Sequence, residues 1–181
     1  MTWQTFHHRG DVLRAVIDAA EARRDGELPM DVDGVDETFR DELDLLAALS
    51  LKWHTRLSGK VHRALEGEPL DLEDAVCRGW SAAATELGGV RLILDNYRDH
   101  PVDYAMAGAM LKSTNKERQL LAVLAGRAGL GRATSPDADP AAVRIGAEIE
   151  ERARELHRVT PVVPVVRRRR FVDLLREALA A

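Results

Sequence analysis

Apolar residues recur along this chain at alternating steps of three and four, the spacing that places them on one face of a helix. No run shows the sustained two-residue alternation of a half-buried strand. Six helical segments follow from that pattern and from its stop signals. The first spans residues 11–24, with Val12, Leu13, Val16, Ile17 and Ala20 on one face and Gly26 and Pro29 ending it. The second spans residues 35–66 and carries Phe39, Leu43, Leu46, Trp53, Leu57 and Val61. The third, residues 72–98, has the clearest seam: Val76, Trp80, Ala83, Leu87, Val90, Leu94 and Tyr97, interrupted only by Gly88 and Gly89.

Pro101 suits a first helical turn and opens the fourth segment, with Met106, Ala109 and Met110. Thr114 and Glu117 have capping-box spacing, which predicts a break there and a restart running through residue 128. Asp139 and Pro140 start the fifth helix, with Ala142, Ile145, Ile149, Ala153 and Leu156. The sixth, residues 168–180, places Phe171, Leu174, Leu175 and Leu179 on one side.

The expected fold is all-α: an antiparallel bundle of about five to six helices, with the long second and third helices joined by a short turn. Residues 1–158 form the bundle domain in this reading, and residues 159–181 a C-terminal arm. In the arm, Pro161 and Pro164 exclude a helix across VTPVVPVV, so a Pro/Val-rich extended segment leads into a short amphipathic helix. The four valines that follow Pro161, Val162, Val163, Val165 and Val166, are too apolar to stay in water at no cost, which points to a surface on the bundle or on a second subunit.

Charge adds a second pattern. The 181 residues carry a formal net charge of −4. Residues 25–44 hold nine carboxylates against one base, Arg40, while Arg167, Arg168, Arg169 and Arg170 stand together near the other end. Arginines at a helix start oppose its dipole, so an anion is expected near this block: acids of the 25–44 belt, a partner protein, or the phosphates of nucleic acid. Twenty-two of the 26 basic residues are arginine, a usage that fits the coding bias of a GC-rich bacterium and carries little functional weight alone.

Candidate chemistry is sparse. One cysteine, Cys77, rules out an internal disulfide and a cysteine-rich zinc site, in keeping with a reducing cytoplasm. The N-terminus lacks a signal-peptide pattern, and no apolar run reaches membrane length. The Glu three residues before His that marks bundle di-metal sites is absent: His54, His62, His100 and His157 have Leu51, Gly59, Tyr97 and Arg154 at that spacing. Neither a metal nor a cofactor is expected. DVDG at residues 31–34 fails as a calcium loop, because Val35 replaces a ligand.

Two places remain where polar groups gather on apolar faces. His54 lies beside Trp53 and Leu57, and the run DNYRDH ends the third helix, so His54, Asp95, Tyr97 and His100 are the candidate pocket residues. The leading functional expectation is a non-enzymatic cytoplasmic interaction protein whose arm mediates self-association or binding to a protein partner, with no membrane role. Two alternatives stand beside it: weak nucleic-acid contact through Arg167 to Arg170, and a helical-bundle enzyme or ligand binder at the pocket residues. A cleft with convergent polar groups favours the last.

Overall fold

The computed structural model describes residues 3–129 and 138–159, with side chains for residues 8–129 and 138–158. Apart from Val159, which is helical and ends α7, the arm, with its arginine block, its predicted last helix and its expected pairing with the acidic belt, lies outside the described residues. Among the described residues every regular element is a helix, in the order α1 Trp3–Arg23, α2 Val35–Thr38, α3 Glu42–Leu65, α4 Leu72–Glu86, α5 Gly88–Asp99, α6 Tyr104–Leu124 and α7 Pro140–Val159. No helix among them is long and apolar enough to cross a membrane.

Four long helices form a ring. α3 packs on α4, α4 on α7 and α7 on α6, whereas α6 and α3 touch less closely, and α5 closes that side with α1 packed outside it. The apolar faces read from the sequence fill the interior: Val16, Leu46, Trp53, Leu57, Val61 and Ala153 are completely buried. Trp53 and Trp80 meet edge to face at its centre, ring centroids 5.7 Å apart.

α1 starts at Trp3 instead of residue 11, and α6 starts at Tyr104, where the Asp103 carboxylate accepts the Met106 N–H, so Pro101 precedes the helix and is not in its first turn. The segmentation differs from expectation in three further places, each for a local reason. The second predicted helix is two, because Phe39 adopts an extended conformation and the Asp41 carboxylate accepts the Asp44 N–H to cap a new start. The third is also two: the chain bends at Leu87, and the Glu21 carboxylate on α1 accepts the Gly89 and Val90 N–H groups at 2.8 and 3.4 Å, supplying a cap from outside the element. The bend costs the seam nothing, since Leu87, Val90, Leu94 and Tyr97 all stay buried. The predicted break at Thr114 does not occur. α6 runs through it, and the Glu117 side chain turns into the core.

Two glycines set how closely the helices approach. A Cβ on Gly89 would lie 2.2 Å from the Ala20 carbonyl oxygen, and one on Gly146 would lie 1.8 Å from that of Arg118. The α1–α5 and α6–α7 contacts therefore bring backbone against backbone. This close α6–α7 packing carries α7 past the bundle's polar centre.

Candidate functional site

Four polar side chains sit on otherwise apolar stripes and meet in the interior. Arg91 stands between Leu87 and Leu94 on α5, Glu117 between Met110 and Leu121 on α6, and Glu150 beside Ile149 on α7; each is over nine-tenths buried. Asp95, one turn beyond Arg91, is the fourth. Burial of such groups is costly unless they pair, and they pair thoroughly. Arg91 Nη1 donates to Glu117 Oε2 at 3.2 Å, and its Nη2 reaches Asp95 Oδ1 at 3.0 Å. Glu117 also accepts the Trp80 indole N–H at 3.3 Å and lies 3.5 Å from His54 Nε2.

The network then runs outward along α7. Arg154 grips Asp95 with two parallel hydrogen bonds of 2.7 and 2.8 Å, and its Nε donates to Glu150 at 3.0 Å. Arg118 donates to the other Glu150 oxygen at 2.9 Å, and Arg98 reaches both Asp95 and Glu150. The guanidinium carbons of Arg91 and Arg154 lie 4.9 and 5.1 Å over the rings of Trp53 and Trp80. Each cation is thus held by carboxylates at its edge and by an indole on its face.

Electrostatics follow from this crowding. Burial would raise the Glu117 carboxyl, but Arg91 and the hydrogen-bonded His54 reverse that and hold it down to about 2. Burial acts the same way on Asp95, where Arg154, Arg91 and Arg98 win and keep its pKa low. Arg154 is pushed above its ordinary range because Asp95 and Glu150 outweigh the desolvation that would lower it. All three stay charged at neutral pH.

On one side the network opens into a cleft of about 400 Å³. Arg24 just beyond the end of α1, Arg91 and Asp95 of α5, and Glu151, Arg154, His157 and Arg158 of α7 line it, with Trp80, Ala84 and Leu92 as apolar wall. Four guanidiniums thus face two carboxylates. Among the described residues Arg24 pairs with the half-buried Glu21 at 3.1 Å, the same carboxylate that caps α5, and Arg158 with the exposed Glu151 at 3.0 Å, a pair that exchanges readily with solvent. Arg91 Nε, by contrast, is a buried donor with no hydrogen-bond acceptor among the described residues.

His157 packs edge-on against Trp80, and its Nδ1 lies 3.2 Å from Ser81 Oγ. Burial first, and then the Arg24 charge, lower its pKa, so it is neutral at pH 7. A hydroxyl beside an imidazole is half of a nucleophilic pair. Among the described residues no hydrogen bond to a carboxylate orients the ring from its other nitrogen.

The four predicted pocket residues separate. Asp95 lies in the cleft wall. His54 joins the network through Glu117 but faces the opposite side, a groove between α3 and α6 lined by Leu43, Leu46, Leu51 and Met110. Tyr97 is buried and hydrogen-bonded to the Leu28 backbone, and His100 is an exposed helix end. Helical geometry explains the split: residues 95 and 98 share the face toward α7, while Asn96 and Tyr97 turn to the 26–28 loop, where Asn96 donates to the Gly26 carbonyl.

Other sequence readings resolve simply. Cys77 is buried, with Sγ 3.8 Å from the Ile149 carbonyl oxygen. His62 bonds the Ser58 carbonyl instead of Glu66. The 25–44 belt finds counterions on α1, Arg23 pairing with Asp31 and Arg9 with Asp44. Among the described residues no group of three or more His, Cys, Asp or Glu is placed to hold a metal ion. No protein-family model, curated protein or solved structure matches this chain, so its function has to be read from the cleft itself.

Proposed function

We propose that this chain is a binding protein for a small organic anion, a carboxylate or phosphate ester held in the arginine-lined cleft. The observation that carries the reading is the convergence of Arg24, Arg91, Arg154 and Arg158 on one opening of about 400 Å³, within the size range of small-molecule sites. Guanidinium forks match carboxylate and phosphate geometry. Arg91 and Arg154 are fixed by buried partners and form a rigid floor, while the more exposed Arg24 and Arg158 each have one carboxylate to exchange for a ligand oxygen. Ala84 and Leu92 offer an apolar wall for the rest of such a molecule.

Calorimetric titration with sodium phosphate, citrate and a nucleoside monophosphate, at constant ionic strength, tests this. At least one probe is expected to bind, and Arg24→Gln and Arg158→Gln should each weaken it about tenfold. Arg158 pairs at the surface, so its variant keeps the fold, and circular dichroism checks Arg24→Gln, whose partner Glu21 also caps α5. Absence of binding by every probe, or unchanged affinity in both variants, counts against the cleft.

A second reading concerns the arm. Val159, the last described residue, directly follows the cleft residues His157 and Arg158 in sequence, and the Pro/Val segment follows it. Its valines, with Arg167 to Arg170, support a role in self-association or in binding a protein partner within a reducing bacterial cytoplasm. Truncation after Arg158 should then lower the mass found by light scattering. An unchanged mass and melting temperature would make the arm dispensable.

A further inference from the structure

The longest basic run of the bundle is on α3. Between Asp44 and Glu66 there is no acidic residue, whereas Lys52, Arg56, Lys60 and Arg63 recur at steps of four, four and three. On a helix those steps keep them within about 80° of one another and spread them over about 16 Å. They rim a shallow surface groove of about 190 Å³ whose floor is Thr55 and Gly59. Nothing stands within 4 Å of the place a Gly59 side chain would occupy, so the groove is open along its length.

One carboxylate does not balance these four cations. Among the described residues only Glu86 pairs with the row, at 3.1 Å from Arg56 and 2.9 Å from Lys60. Lys52 and Arg63 make no ion pair among the described residues. The helix dipole rewards cations only in the last turn, which covers Arg63 and leaves Lys52 and Arg56 without that reason. The row is also poor in apolar surface, unlike a core-like protein interface.

From this geometry we propose that the exposed face of α3 binds the phosphate backbone of nucleic acid, with Lys52, Arg56, Lys60 and Arg63 each neutralising a phosphate. Charges one turn apart, about 6 Å, suit a regularly charged polymer better than a single small anion. Trp53, the one Phe, Trp or Tyr of α3, is buried, so the face offers no stacking platform and contact is with the backbone, independent of sequence. The acidic belt at residues 25–44 orients the molecule by repelling the same polymer. This surface is separate from the cleft and does not depend on it.

Fluorescence anisotropy with a labelled 20-base-pair DNA duplex tests the proposal, using the full chain with Arg167 to Arg170 changed to Gln so that α3 is read alone. Four phosphate contacts give a slope of about −3.6 for log K against log salt, an affinity loss of about 150-fold between 50 and 200 mM KCl. Lys52→Gln with Arg63→Gln should halve that slope, leaving a loss of about 12-fold. Arg14→Gln with Arg144→Gln, the same charge change on other exposed faces, should leave the slope unchanged. Circular dichroism confirms that each variant is folded. No binding at 50 mM KCl, equal effects of the two double variants, or salt-reversible self-association through the row in place of DNA binding would each overturn the proposal.

Discussion

Replacing Glu117 by Gln keeps the shape of the side chain and removes one charge from the centre of the bundle. Arg91 then loses its 3.2 Å partner while remaining over nine-tenths buried, sharing Asp95 with Arg154 and Arg98. A carboxyl held at about 2 instead of its ordinary 4.5 contributes about 3 kcal/mol at neutral pH. Breaking a buried ion pair from one side costs about 3–5 kcal/mol, an independent figure of the same size. The pH dependence has a definite sign. Because the folded-state value lies below the unfolded one, the contribution is complete above about pH 5 and is lost as pH falls through 4.5 toward 2. Urea unfolding followed by tryptophan fluorescence should show Glu117→Gln less stable by about 3 kcal/mol at pH 7, and by less than about half of that at pH 3. A deficit under about 1 kcal/mol at pH 7, or one that is the same at both pH values, would refute the claim that the Arg91–Glu117 pair holds the centre together.

Other outcomes follow from single distances. Gly146→Ala should destabilise by more than about 1–3 kcal/mol, since its Cβ meets the Arg118 carbonyl oxygen at 1.8 Å. Gly108→Ala, in an open stretch of α6, should stabilise by about 0.5–1 kcal/mol, and thermal melts of the two variants give the comparison. Cys77, buried and with its thiol pKa raised mainly by that burial, should resist a disulfide reagent in the folded protein and react within seconds in denaturant.

The apolar seams were legible because helical period and burial follow from the same residues: Val76, Trp80, Ala83, Leu87, Val90, Leu94 and Tyr97 are all buried as their spacing requires. What the spacing could not show is that the backbone bends at Leu87 without disturbing that register. The cap that permits the bend belongs to Glu21, 68 residues away. Thr114 and Glu117 look like a local cap, but Glu117 faces an arginine and an indole brought to it by other helices. Of the four pocket residues read from the sequence, one lines the cleft. Asp95 was identified from the polar cluster ending its helix, whereas Arg24, Arg154, His157 and Arg158 converge only through the packing of α1, α5 and α7. A signal was present in Arg91, Glu117 and Glu150, charged residues standing on apolar stripes where only paired charges are tolerated.

Arginine Nε–H signals give the most direct view of the cleft. They can be recorded on ¹⁵N-labelled protein during titration with phosphate, citrate and a nucleoside monophosphate at constant ionic strength. An anion bound in the cleft should shift the Arg24, Arg91, Arg154 and Arg158 signals and the Trp80 indole N–H along one saturating curve, with Arg14 and Arg63 unmoved. Shifts that grow linearly without saturation and spread over all the surface arginines would contradict a binding site there.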